Sequence, residues 1–508
     1  MWQGTMAGMS AYDSLLERLV EISHVGRAGA VLDWDHQCYM PEGAAEARAG
    51  VLATLGKLSH EMFVADETRS LLEKSEAEGF APGSDAALTL RAVRRDLDKS
   101  SKLPTKLVAD LARETSLGHG VWAKARAEKD FAQFAPALEK ILDLTRQAAE
   151  CYGYDSQSGE IYDALIDNYE AGAKTSEVAR VFEGIRPGLI TLLEKIKAAP
   201  QIDFSCLERD FDEDTQLKFA EKAAKRLGFD FHHGRQDRAV HPFCTGFSRQ
   251  DVRITTRTEK NWLPGALMGT IHETGHGLYE QGFDPKDDNT PLSDAVSLGV
   301  HESQSRLWEN IVGRSRPFWT VFYPDLKAAF PGVLDDVSEE GFWRAINRVE
   351  PSFIRVEADE VTYGLHIMLR FEIEREMLSG KLAVKDIPDA WNAKMESYLG
   401  ITPPDDAQGC LQDVHWSAGL IGYFPTYLIG TALASQLYEQ ALKDNPAIAS
   451  DLVKGDYTSL LSWLRKKVHH PGRRYLPGEL VERICGGPAR SEPYLNYLNA
   501  KFTEVYGL

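Results

Sequence analysis

Residues 266–282, ALMGTIHETGHGLYEQG, place His272 and His276 four apart, with Glu273 directly after the first. On an α-helix, residues four apart lie one above the other on the same face. Both imidazoles can therefore address one divalent ion. Glu273 falls about 100° round the helix, beside a water on such an ion without being a ligand to it. Metal-dependent peptide hydrolysis uses this spacing because the ion acidifies a water whose proton the carboxylate can take. A catalytic zinc keeps three protein ligands and one open position. The third is expected on a neighbouring element, and His301-Glu302 in SDAVSLGVHESQSRLWENIVG (293–313) offers Glu302.

These residues need elements to position them. Pro264 suits the first turn of a helix that runs to about Gly282, with Met268, His272, His276 and Tyr279 on one stripe. FDPKDDNTPL (283–292) is a short connection that lets this helix fold back on the next, begun by Ser293-Asp294. Elsewhere helical periodicity dominates. AYDSLLERLVEISHV (11–25) puts Leu15, Leu16, Leu19, Val20 and Ile22 near one face, with Asp13 in the first turn, and DTQLKFAEKAAKRLGF (214–229) ends at a glycine stop. IRVEADEVTYGLHIMLRFEIEREML (354–378) reads as one long helix opened by Arg355. DVRITTRT (251–258) alternates and is β-branched; with HPFCTGFS (241–248) it predicts one small antiparallel sheet. The fold class is mainly α. AAPQIDFSC (198–206) marks the break between an N-terminal helical half, 1–200, and a half carrying the motifs, 201–508, within one domain of 508 residues.

The chain is 43% hydrophobic and 26% charged, the balance of an ordinary globular protein, with a net charge of −19. That charge argues against nucleic acid or an anionic membrane as partner, since both would repel it. MWQGTMAGMSAYDSLLERLVEISHV has no basic start followed by an apolar core, and no run of 18 apolar residues occurs. The nearest, GLIGYFPTYLIGTALA (419–434), is interrupted by Pro425. Six cysteines without a CxxC pair predict free thiols and a cytoplasmic protein.

A series of short motifs follows in order: His241-Pro242-Phe243; Asp251-Val252-Arg253-Ile254-Thr255; His272 to His276; His301-Glu302-Ser303-Gln304; Ile354-Arg355-Val356-Glu357-Ala358-Asp359; and Gly409-Cys410-Leu411-Gln412-Asp413-Val414-His415-Trp416. With LDWDHQCYMPEGAAEARAG (32–50), they make the chain resemble, over nearly its whole length, the thermostable carboxypeptidase Taq family of zinc metallocarboxypeptidases. The resemblance implies a large helical fold with a deep substrate groove, similar to angiotensin-converting enzyme and neurolysin, with the N-terminal half covering the groove. It also implies release of single residues from peptide C-termini with broad specificity, and a homodimer. By motif position, His272, His276 and Glu302 would be the zinc ligands and Glu273 the general base and acid. Co²⁺ or Mn²⁺ can occupy the same donor set.

Further roles follow from the chemistry. A tetrahedral oxyanion needs a donor besides the metal; His415 is one candidate, and Tyr423 or Tyr427 another. Asp359 or Asp413 is a candidate to orient a ligand imidazole through its other nitrogen, with helix-surface salt bridging as the equal alternative. His241, in the strand-like segment, is a candidate contact to substrate backbone. A carboxypeptidase must grip the terminal carboxylate, for which arginine's planar fork is suited. Arg253 and Arg355 are the candidates. Asp251, on the same strand face as Arg253, can consume its charge, which favours Arg355, with an exposed head reaching into a groove. The alternative reading is a metallo-endopeptidase or peptidyl-dipeptidase with the same HExxH site and no one-residue stop. A binding scaffold with a dead site would be expected to have lost Glu273 or a ligand, and none is lost.

Overall fold

The computed structural model describes residues 9–157 and 159–508, so the first eight residues of the leader reading lie outside the described residues. Among those described, the chain forms twenty α-helices and one three-stranded sheet. None of these helices is long and apolar enough to cross a membrane, and all six cysteines are unpaired. The chain divides into two compact units of three stretches each. The first takes the chain up to Lys102, Asp210–Val296 and Asp456–Leu476; the second takes Leu103–Arg209, Ser297–Gly455 and Pro477–Leu508. This differs from the expected halves 1–200 and 201–508. AAPQIDFSC lies just before one crossing, Arg209 to Asp210, but a composition shift shows one crossing and not the four others.

In the first unit, helix Ala11–Cys38 starts at Ser10, whose hydroxyl accepts from the Asp13 N–H at 3.0 Å. Its Leu15, Leu19 and Ile22 form a core with Leu72, Leu90, Val93 and Leu97 from helices Asp66–Ala77 and Asp85–Ser101. Each such side chain contributes about 1.5–3 kcal/mol on full burial. The sheet comprises β1 (Gly234–Arg238), β2 (Cys244–Ser248) and β3 (Asp251–Thr256), in the order β1-β3-β2. β2 runs antiparallel to β3, as expected, but β1 runs parallel to it, so the sheet is mixed. β1, GRQDR, escapes a hydrophobic-period reading because its inward side chains are polar: Gln236 and Asp237 are buried, and Gln236 donates to Thr270 Oγ1 at 2.7 Å.

Helix Leu263–Glu280, the histidine helix, has Pro264 in its first turn and lies against β3. Val252 and Ile254 of β3 are fully buried. Gly277 makes this approach possible: a Cβ there would stand 2.5 Å from the Phe229 ring and 3.4 Å from Ile254 Cγ2.

In the second unit, the helix carrying Glu302 spans Leu298–Arg306 and passes directly into a π-helical stretch, Leu307–Gly313. Ser297, not Ser293-Asp294, is its cap, accepting from the Val300 N–H at 3.1 Å. Helix Pro425–Asp444 packs closely on it at Gly430, where a Cβ would meet Glu302 Cβ at 2.6 Å. Arg355 does not open the long helix, which spans Thr362–Leu378; it sits in a separate 3₁₀ turn, Arg355–Glu357. The break comes from Asp359, which caps the long helix by accepting from the Val361 and Thr362 N–H groups at 2.9 and 3.0 Å.

Candidate active site

The histidine helix is buried along most of its length, and His272 and His276 are among its few partly exposed residues. Their ring centroids lie 4.9 Å apart at 80°. Two imidazoles one turn apart, on a helix held by its apolar flanks, are a fit donor pair for a divalent ion. Glu273, between them in sequence, is 6% exposed. Burial, then Glu280 and Glu273, pushes the Cys244 thiol well above its usual range, so this end of β2 is inert as a nucleophile.

Arg253 is engaged locally, as the Asp251 neighbour allowed. Its Nε and Nη2 each donate to the Asp251 carboxylate at 2.9 Å, and its guanidinium lies 4.2 Å from the Trp34 ring and 4.8 Å from that of Phe247. His241 is exposed and lies in a bend between β1 and β2, not in a strand, because Pro242 follows it and cannot donate to a ladder.

In the second unit Glu302 is 6% exposed, and both its oxygens are held: Oε2 accepts from Ser305 Oγ at 2.8 Å and Oε1 from Arg306 Nε at 2.7 Å. The start of its helix is tied to the stretch before helix Thr175–Ala198, for Leu298 N–H donates to Tyr169 O at 3.1 Å and Gly299 N–H to Glu170. Burial pushes the Glu170 carboxyl up to about 7.

Arg355 is 6% exposed, contrary to the expected exposed head. Its Nε and Nη2 donate to Asp413 Oδ1 at 3.0 and 2.9 Å, while Arg370 Nε donates to Asp413 Oδ2 at 2.7 Å. Gln412 Oε1 accepts from the Arg355 N–H and from Arg370 Nη2, at 2.8 and 2.7 Å. Burial alone would raise the Asp413 carboxyl, but the Arg355 and Arg370 guanidiniums hold it well below the usual carboxylate range. Asp413 thus pairs with two guanidiniums, the salt-bridge alternative, and Asp359 accepts at a helix start. Two cations share one anion, which leaves this cluster with a surplus of positive charge.

His415 is buried, and burial pushes its imidazole down to about 4, so it is neutral near pH 7. Its Nε2 is 3.2 Å from the Tyr427 hydroxyl, and Tyr427 in turn hydrogen-bonds Tyr423. The two tyrosines the sequence left as alternatives form a single chain with His415. Arg370, Glu374 and Glu170 were missed by sequence reasoning. A signal did exist for two of them: Arg370 and Glu374 stand one turn apart in the largely apolar run LHIMLRFEIE (365–374).

Residues 14–502 match the family described as Carboxypeptidase Taq (M32) metallopeptidase. Thermostable carboxypeptidase 1 of Thermus thermophilus is 39% identical, aligned over 99% of this chain and 100% of its own length. Carboxypeptidase 1 of Bacillus subtilis is 36% identical, over 96% of this chain and 97% of its own. The crystal structure of the M32 carboxypeptidase from Deinococcus radiodurans superposes with a TM-score of 0.95 at 41% identity, covering 98% of this chain and 100% of that one. The chain belongs to the carboxypeptidase Taq (M32) metallopeptidase family. It is a metal-dependent carboxypeptidase, a peptide hydrolase.

Proposed function

We propose that the enzyme releases single amino acids from peptide C-termini, with broad specificity, using one Zn²⁺ held by His272, His276 and Glu302. The observation that carries this reading is the imidazole pair, 4.9 Å apart, beside the buried Glu273. Two imidazoles and a carboxylate suit zinc, with Co²⁺ or Mn²⁺ as substitutes. When bound, the ion supplies Lewis acidity toward a water and toward the scissile carbonyl. Glu273 takes the water's proton and returns it to the departing amine.

His415 and Tyr423 donate to the developing oxyanion. A neutral imidazole keeps one N–H to give, and the Tyr427 hydroxyl fixes the ring's other constraint. Arg355 receives the substrate's terminal carboxylate. Although two of its donors are spent on Asp413, the surplus charge of the Arg355–Asp413–Arg370 cluster attracts an anion, and among the described residues Nη1 donates to the Tyr363 hydroxyl at 3.5 Å. His241, from an exposed position, is a contact to the peptide backbone, and Arg253, its charge shared with Asp251, is the alternative grip on the carboxylate. Both units contribute to one peptidase domain, residues 1–508. The acidic chain with unpaired cysteines fits a cytoplasmic enzyme with no nucleic-acid or membrane partner, and the family resemblance supports a homodimer.

The test is metal analysis of the purified protein with mass spectrometry of products from a short peptide over time. One zinc per chain and a ladder of single-residue losses are expected. Dipeptides or internal fragments would instead make it a peptidyl-dipeptidase or endopeptidase. Sedimentation of the same sample checks the dimer.

A further inference from the structure

Glu374, on helix Thr362–Leu378, is fully buried. Its Oε1 accepts from the Trp416 indole N–H at 2.9 Å. Its Oε2 accepts from the Gly422 backbone N–H at 3.0 Å and from the Tyr162 hydroxyl at 2.6 Å. All three donors are uncharged. Burial pushes this carboxyl up to about 7. A buried acid bonded only to uncharged donors is costly even with Arg370 one turn away, so its retention calls for a reason.

The position of the donors in the chain supplies one. Trp416 directly follows His415, and Gly422 directly precedes Tyr423. Residues 415–424 form turns, neither helix nor strand. Within the turn Leu420 N–H donates to His415 O at 2.9 Å and Gly419 N–H to Trp416 O at 3.1 Å, whereas the Trp416 indole N–H and the Gly422 N–H go to Glu374. A carboxylate offers two oxygens with about four acceptor sites, enough to take both ends at once. Gly422 sits at φ +91°, where a Cβ would come 3.0 Å from the Ile166 nitrogen. A side chain there would push the backbone away from helix Ile161–Ile166, which also carries Tyr162.

We propose that Glu374 is a positioning residue, a single carboxylate that ties both ends of the 415–424 turn and so sets His415 and Tyr423 relative to one another. The proposal rests on the reading of His415 and Tyr423 as oxyanion donors. Those two rings lie 5.4 Å apart, and neither is held by regular backbone structure at its own position.

The experiment compares Glu374→Gln, Trp416→Phe and the double variant in the intact, metal-loaded enzyme. Glutamine has one acceptor oxygen, so its amide NH₂ faces a donor at one end of the turn. Misplacing a catalytic group by about 1 Å costs on the order of 100-fold. Glu374→Gln should therefore lower kcat by about 10- to 100-fold, with KM within about threefold and bound metal unchanged. Hydrogen exchange should quicken in 415–424 and stay unchanged along helix Thr362–Leu378. Trp416→Phe keeps the ring and loses the N–H, and the double variant should be no slower than the slower single, as expected for residues acting through one contact. Multiplying kcat losses, or faster exchange along the whole helix, would overturn the clamp in favour of a general packing role. His415→Ala and Tyr423→Phe separate the two levels of the argument. If both keep full kcat, the donor reading falls; if both lose it while Glu374→Gln does not, only the clamp falls. Should Glu374→Gln fail to fold, Trp416→Phe combined with Tyr162→Phe decides by the same kcat and exchange criteria.

Discussion

The two units solve the same problem, holding polar groups in place, by different means. In the first unit the chemistry sits on one continuous helix, where His272 and His276 are set by backbone periodicity and the flanks are apolar. Gly277 lets that helix sit against Phe229 and β3, and Gln236 and Thr256 of the sheet tie it by hydrogen bonds to Thr270 and to Ala266 O. In the second unit the groups come from separate segments, around 170, 302, 355–374 and 412–427, and are tied by charged and polar bonds in a water-excluded interior. Asp413 holds Arg355 and Arg370, and Glu374 holds Trp416 and Gly422. A helix orders side chains that are close in sequence at no extra cost. Groups distant in sequence need dedicated partners, and each partner is a further point of failure.

The largest effect that would sharpen this contrast lies in the first unit. Glu273→Gln should keep the fold and the metal while losing proton transfer, with kcat down by about 10²–10⁴-fold. A variant that loses metal yet turns over normally per ion would make Glu273 structural. In the second unit, removing a tie should cost stability as well as rate. Asp413→Ala leaves two buried guanidiniums without their anion, a loss of about 3–5 kcal/mol in chemical denaturation. Arg355→Ala tests the clamp more narrowly. The wild type should prefer free-acid peptides over their C-terminal amides, and the variant should lose most of that preference. Equal wild-type rates on both would remove Arg355 from carboxylate recognition.

Packing changes come next in size. Gly277→Ala in the first unit and Gly430→Ala in the second both place a methyl inside a contact, and each should cost about 1–3 kcal/mol. Only Gly430→Ala is expected also to weaken metal retention, because its neighbour is Glu302. Equal metal loss from both would blur the distinction drawn between the units. The smallest effect is one of pH. Glu170 is raised from 4.5 to about 7 by burial, so the folded state binds its proton more tightly than the unfolded chain does. Its contribution to stability is full below about pH 4.5 and is lost as pH rises through about 7. Glu170→Gln should flatten the stability profile across that window, as read by urea midpoints at several pH values.

What the sequence by itself determined is what depends on near neighbours. The histidine pair, the helix that carries it, the β3 strand and the Asp251–Arg253 pairing all involve residues within a few positions, where helical and strand periods dictate geometry. The order of motifs was enough to place the chain in its family and its activity class. Tertiary structure decided the rest. Arg355 looked like the exposed start of a long helix, yet it is buried against Asp413, 58 residues away, and the helix begins only after Asp359. β1 was invisible because its inward residues are polar, and Ser297 replaced Ser293 as a helix cap. Glu374 and Glu170 read as ordinary acids in sequence. The physical reason is common to all of these: a buried charge or polar strand is tolerable only when distant segments supply its partners, and no local pattern records which segments those are.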